Sequence, residues 1–385
     1  MTSRNRVAGA MRHRLVDRVP VMCQLSLGHY FLNAGLAPHR VWFTSEGFAA
    51  ALIALQQRYR FDGILVNLPG RPANVLAAVA SIETTLEGER LTWRDGSVTF
   101  VPRDDSPQHF PATHPARAGF AAIDPDNLDG IGDLPGYIWN TYHIPCVTGA
   151  RGVLREIPDY FFRTIDLVQR AVGDAVSIHG EVFSPFTHYM ELFGYEQALL
   201  SLVTDAGKAR ALLDRLTEAS VAWAVAQARR GVDALLISSA FAGGSFISRA
   251  MYREFVLPYE RRVTHAVQSL GVPVYTHTCG RIGDRLELLA ETGTAGIDTL
   301  DPPPLGNVEL AEAKQRIGKL FIKGNMNSVA LLAYTTREQV IAEAAECIRV
   351  GKVGGGYILS TACSVAPRVE PWKLELLAPL AEEFG

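Results

Sequence analysis

Val272-Pro-Val-Tyr-Thr-His277-Thr-Cys279-Gly280 is a short β-rich run that ends in a histidine, a cysteine and a glycine. Runs of the same character recur along the chain. They fall at Val19 to Leu25, Gly63 to Leu68, Ala175 to His179, Ala234 to Ser239, Val272 to Thr276, Gly296 to Leu300, Leu320 to Lys323 and Gly356 to Ser360. Each is mostly apolar rather than alternating, the pattern of a strand covered on both faces. Between them lie amphipathic stretches with helix-type ends. Ser45 and Glu46 open one that runs to Tyr59, and Asp205-Ala-Gly207 separates two more, the second carrying Leu212, Leu216, Val221 and Ala224 at helical spacing.

Strand and helix alternate, so the sheet is expected to be parallel. Eight strand-helix units predict an α/β chain closed as a (β/α)8 TIM barrel, a single domain over 1–385. An open doubly wound sheet would show a glycine phosphate loop after its first strand, and Gly243-Gly244 and Gly354-Gly355-Gly356 read as turns instead. The segment from about 70 to 150 is too long for a crossover. It carries a hairpin signal, Leu91-Thr-Trp-Arg-Asp95-Gly96-Ser-Val-Thr-Phe100, and a tail from Pro102 to Pro115 that is expected to cover part of one barrel end.

Composition narrows the function classes. The 385 residues carry 37 Lys+Arg against 40 Asp+Glu, a net charge of -3, which leaves no basic surplus for nucleic acid or anionic membranes. With 48% hydrophobic and 20% charged residues the chain is neither disordered nor fibrous. Its apolar runs are far shorter than the ~20 residues of a membrane helix, and Met-Thr-Ser-Arg-Asn-Arg leads into no apolar export segment. A cytosolic enzyme is expected. Five scattered cysteines (Cys23, Cys146, Cys279, Cys347, Cys363) make no disulfide framework; Cys23 and Cys347 read as core and Cys146 as loop packing.

In a barrel of this kind the carboxyl ends of the strands form the active-site mouth. Gln24 and Ser26, Asn67, His179 and Glu181, Ser238 and Ser239, His277 and Cys279, Asp301, Asn325 and Asn327, and Cys363 fall there in strand order. Taken singly, a buried thiol or a histidine beside a strand is an ordinary core group. Taken together, His277 and Cys279 lie on one side of an extended strand and Cys363 ends another, a zinc-type donor set with an open fourth position. Asp301 is a candidate fourth ligand. Zinc held this way lowers the pKa of an incoming thiol.

Four stretches carry a resemblance. Ile178-His-Gly-Glu181-Val-Phe-Ser-Pro185-Phe-Thr187-His-Tyr189-Met-Glu-Leu-Phe-Gly194, His277-Thr-Cys279-Gly280, Lys323-Gly-Asn325-Met-Asn and Ser360-Thr-Ala-Cys363-Ser-Val-Ala-Pro367 are similar to the uroporphyrinogen decarboxylase superfamily. Arg6-Val-Ala-Gly-Ala-Met and Asp17-Arg18-Val-Pro20 resemble its usual start, so the likeness covers nearly the whole chain. The cysteines point to its zinc-dependent corrinoid methyltransferases of the methylcobamide:coenzyme M type. That resemblance implies zinc on His277, Cys279 and Cys363, and the similar His-x-Cys, acid and Cys set of cobalamin-independent methionine synthase strengthens Asp301 as a possible ligand. The arginine-rich motif of true decarboxylases is replaced by Met22-Cys23-Gln24-Leu25-Ser26-Leu27, so a porphyrinogen's carboxylates meet no clamp. No Asp-x-His-x-x-Gly corrinoid signature occurs, so a corrinoid (cobalamin) must arrive on a separate corrinoid-binding protein.

Glu181 is read as an auxiliary ligand or proton-transfer group, with a loop salt bridge as the ordinary alternative. Gln24, Asn67 and Asn325 are assigned to substrate orientation, and His188 and Tyr189 to substrate or corrinoid contact, although turn capping and packing account equally for several of them. The expected reaction is methyl transfer between that corrinoid and a thiol or a methoxy or methylamine substrate, with the corrinoid protein and a small methyl donor or thiol acceptor as partners; a homodimer stays open. Two other functions remain: a decarboxylase or lyase acting on a non-porphyrin substrate, and a non-catalytic tetrapyrrole or corrinoid binder.

Overall fold

The structure is a computed structural model and describes residues 1–113, 119–127 and 157–385; Cys146 and the middle of the insertion lie outside these. Its strands are β1 (Gly63–Val66), β2 (Val79–Thr84), β3 (Gly88–Trp93), β4 (Val98–Pro102), β5 (Gln108–Phe110), β6 (Ser177–Phe183), β7 (Ala234–Ser238), β8 (Val274–Thr278), β9 (Gly296–Thr299), β10 (Phe321–Met326) and β11 (Tyr357–Thr361). β1 and β6 to β11 form one curled, all-parallel sheet of seven strands in chain order, as in a TIM-like barrel. Residues 19–25 lie across its open side. The Met22 N–H donates to the Leu359 carbonyl, the Val365 N–H to the Gln24 carbonyl, and the Asp62 N–H, just before β1, to the Val21 carbonyl. The eighth expected strand is thus present as two isolated parallel bridges, Val21 with Leu359 and Leu25 with Val365, rather than as a continuous ladder.

The helix Ser3–Met11 closes the amino end. Its Val7, Ala10 and Met11 pack on Leu65, Leu236, Tyr275, Phe321 and Ile358, which sit in the first halves or middles of their strands. Asp62 fixes this plug: its fully buried carboxylate accepts from Arg6 Nη1 at 2.6 Å, Arg18 Nη1 at 2.8 Å and the Val21 N–H at 2.8 Å. The outer helices have conventional ends. Thr44 caps Ser45–Tyr59 through the Gly47 N–H, and Asp205 caps Ala206–Arg229 through the Lys208 N–H. β2 to β5 form a separate antiparallel sheet in which β3 pairs with β4 across Arg94 to Ser97. It belongs to the insertion.

Buried histidines make this fold acid-sensitive. Burial lowers His29 to about 4, His179 to about 3 and His188 to about 4, so all three stay neutral in the fold at pH 5. Unfolded histidine titrates near 6.5, so below that pH the unfolded chain binds the extra protons and stability falls as pH falls. Glu181 acts in the opposite sense: raised to about 7 by burial, it holds its proton in the fold where the unfolded carboxyl has lost it. Among these four groups the three histidines outweigh Glu181, so on acidification below pH 6.5 the unfolded chain is the stronger proton binder and stability is lost. Denaturant unfolding with chelator present should show stability falling between pH 6 and 5. A flat profile would mean that these rings are charged in the fold.

Candidate metal centre

Parallel strands put their carboxyl ends at one rim, and there β8 and the segment after β11 meet although two strands separate them in the sheet. His277 Nε2 lies 3.1 Å from Cys279 Sγ, and Cys279 Sγ lies 3.8 Å from Cys363 Sγ. All three donor atoms fall within 4.8 Å of one another, and among the described residues they form the one group of three or more His, Cys, Asp or Glu donors so placed. Tetrahedral zinc with Zn–S of about 2.3 Å sets two sulfurs roughly 3.8 Å apart. The donor set fits zinc.

The backbone supports this convergence. Gly280 turns at φ +77°, and a Cβ on Gly243 would stand 2.5 Å from the Cys279 carbonyl oxygen, so the loop after β7 can seat against the loop after β8 only with glycine there. Asp301 Oδ2 accepts from the Gly280 N–H at 2.6 Å. Its carboxylate therefore anchors the Cys279-Gly280 turn and is not in the donor group. Burial raises its pKa, with the Gly280 bond working against that.

His277 is oriented from behind. Its Nδ1 meets Asp298 Oδ2 and Thr299 Oγ1, each at 2.9 Å, which leaves Nε2 toward the sulfurs. Asp298 in turn accepts from Lys323 Nζ at 2.9 Å, and all three side chains are buried. A carboxylate behind a ligating histidine fixes its tautomer and raises its basicity. Burial would raise the Asp298 carboxyl, but the Lys323 charge and the His277 bond hold it below the usual range. The sulfurs share one negative charge: the Cys279 bond brings Cys363 down to about 4, and the same bond pushes Cys279 up.

Above the three donors opens a cavity of about 310 Å³, whose wall includes Gln24, Asn67, Glu181, Ser238, His277, Cys279 and Cys363. Ser106, from the insertion, reaches the same cavity. Glu181 is 7% exposed and its Oε2 has no hydrogen-bond partner; the same holds for Gln24 Oε1. Burial pushes Glu181 up to about 7 against the Ser238 hydroxyl that bonds it.

Three expected contacts lie elsewhere. The helix Pro185–Phe193 turns about 100° per residue, so Thr187 and Glu191 share the cavity face while Tyr189 points away. Tyr189 is buried against Phe120, Phe186 and Phe193, with its hydroxyl on Ser201. His188 lies between, in a small crevice with Asn67, Glu181 and Trp223, its Nδ1 without a partner. Asn325 donates to the Leu300 carbonyl at 3.2 Å and faces the cleft of Glu343 and Cys347. His179 sits mid-strand and bonds Tyr275 inside the barrel rather than ending β6, which continues to Phe183. Sequence reading missed Asp298 and Lys323, although a charge inside an apolar, doubly covered strand is itself a signal, since it needs a buried partner.

Comparison with known proteins agrees with this geometry. Over 288 residues the chain is 30% identical to a methylated-thiol–coenzyme M methyltransferase of Methanosarcina mazei, covering 74% of this chain and 65% of that protein. Over 258 residues it is 27% identical to a methylcobamide:CoM methyltransferase of Methanosarcina acetivorans, covering 67% of this chain and 69% of that one. The chain thus spans about two thirds of the curated relatives it matches. A solved methyltransferase from Methanosarcina mazei superposes with a TM-score of 0.71 at 19% identity, over 100% of this chain and 99% of that one, which establishes the shared fold. The sequence pattern of uroporphyrinogen decarboxylase (URO-D) matches residues 154–384, more than half of the chain, which belongs to the uroporphyrinogen decarboxylase family.

Proposed function

We propose that this protein is a zinc-dependent methyltransferase that moves a methyl group between a corrinoid carried by a separate protein and a small thiol. The observation that carries the reading is the convergence of His277, Cys279 and Cys363 under an open cavity. The activities for which the two relatives are named, both methyl transfers involving coenzyme M, support the same reaction class. On this reading the segment 19–25 acts as the first strand of a closed eight-stranded barrel, with the insertion beside the mouth and the whole chain as one cytosolic domain. Among the described residues no helix is long and apolar enough to cross a membrane.

His277, Cys279 and Cys363 would hold the zinc, which when bound supplies a Lewis acid that keeps a substrate thiol deprotonated at neutral pH. Asp298 and Thr299 keep His277 Nδ1 occupied, so that Nε2 faces inward. Glu181 takes the proton of the entering thiol, and its place in the cavity wall with a pKa of about 7 suits it to that transfer. The sulfur then forms its bond to the methyl carbon as the methyl group leaves the corrinoid. Asn67 and Gln24 orient the substrate, and Asp301 holds the Cys279 turn in place.

The direct test is metal content of protein purified without chelator or metal-affinity steps, followed by methyl transfer from methylcobalamin to a thiol. About one zinc per chain and zinc-dependent turnover are expected. Folded protein that is metal-free and cannot be reloaded would end this reading and bring forward a lyase or a corrinoid binder.

A further inference from the structure

We infer that His188 is a positioning residue for Glu181: one water, bound in the crevice beside the mouth cavity, bridges His188 Nδ1 and Glu181 Oε2 and fixes the carboxyl that takes the thiol proton. This rests on the reading of Glu181 as the proton acceptor.

His188, on the helix Pro185–Phe193, and Glu181, on β6, border the same crevice. Both side chains are more than nine-tenths buried, at 4% and 7% exposure. His188 Nδ1 and Glu181 Oε2 are shut off from bulk solvent, and neither has a protein partner. Buried polar atoms nearly always bond to protein or to ordered water, so two unpaired atoms on one enclosed space point to a shared partner. The crevice has a volume of about 10 Å³, close to the roughly 10 to 15 Å³ that a single water needs. Val66, Pro69, Phe183 and Trp223 wall it, and Asn67 adds a third polar side chain. Water fits there and nothing larger does.

Water also suits both atoms whatever their protonation. Nδ1 presents a lone pair or an N–H according to tautomer, and the Glu181 oxygen accepts when ionised and can donate when protonated, while a water does both. The crevice and the cavity above the donor group share Asn67, Glu181 and Phe183, so Glu181 stands in the wall between them. One oxygen tied through water to a buried ring keeps the carboxyl from swinging about its last bond. The ring itself is held edge-on to Phe183, with centroids 6.0 Å apart. Burial lowers His188 to about 4, so at neutral pH it acts as a hydrogen-bonding group and not as a second base.

A crystal structure of the zinc-loaded protein, at a resolution that shows ordered water, should place one water within about 3.2 Å of both atoms. A dry crevice, or a direct bond between the two side chains, overturns the inference, and this measurement needs no variant to fold. His188→Leu and His188→Asn have nearly the same shape, and the asparagine amide puts a polar atom where Nδ1 stood. Packing alone therefore predicts equal losses. In methyl transfer from methylcobalamin to 2-mercaptoethanol, His188→Leu should lower kcat about ten-fold with KM for the thiol within about two-fold, and His188→Asn should recover most of that loss. Equal kcat in the two variants, or a loss confined to KM, also overturns it. A bridging water in a protein that transfers no methyl group to any thiol would remove the methyltransferase reading and leave the link between the two side chains, whereas transfer that ignores the difference between leucine and asparagine would do the reverse.

Discussion

Cys363→Ala should lower methyl transfer from methylcobalamin to a thiol by roughly 1,000-fold and reduce bound zinc from about one per chain to a small fraction, with the fold intact. The size follows from the donor count. The group has three protein donors, and removing one leaves a histidine and a single thiolate, too few to hold the ion against chelation. A substrate thiol is then left with its ordinary pKa and is only a few per cent thiolate at pH 7. The folded state should tolerate the change, because Cys363 is half-buried at the rim and outside the hydrophobic core. Cys347→Ala is the matched control. That thiol lies on the helix Arg337–Gly351, beside Asn325 and away from the cavity, and its loss should leave zinc and turnover unchanged. Mass spectrometry of the metal together with the absorbance change of methylcobalamin measures both outcomes. If Cys363→Ala retains a full zinc and turns over within ten-fold of wild type, Cys363 is not a ligand.

The donor group was legible in the sequence because its logic is local. A strand alternates sides, so His277 and Cys279 share one, and the barrel rule places Cys363 at the same rim. What sequence reading could not settle is how far each rim residue turns. Asn325 follows a strand end as expected, yet its amide is drawn to the Leu300 carbonyl, a tertiary partner that no pattern announces. Tyr189 and Glu191 stand two positions apart in one helix, and only its packing against Phe120 and Ser201 decides which faces the cavity. The first strand is a similar case. The apolar run at 19–25 is real, but Asp62 and β11 hold it as separate bridges instead of a ladder.

Asp298 and Lys323 carry the second large effect, and it divides into two parts that a pair of substitutions separates. Asp298→Ala strands the Lys323 ammonium, which is 1% exposed, so a loss of about 3 to 5 kcal/mol in unfolding free energy is expected. It also frees His277 Nδ1 to adopt either tautomer, and removal of such a supporting carboxylate costs about 10- to 100-fold in metal affinity. The double variant Asp298→Val with Lys323→Met removes both buried charges at similar volume. Its stability should return to within about 1 to 2 kcal/mol of wild type, because a neutral, packed pair replaces an ion pair whose desolvation was already costly. Its zinc affinity should stay low, because the imidazole then keeps only the Thr299 hydroxyl behind it and no carboxylate. Denaturant unfolding follows the first quantity and competition with a chelator the second. Recovery of both together would show that Thr299 alone orients His277 and that Asp298 serves only to neutralise Lys323.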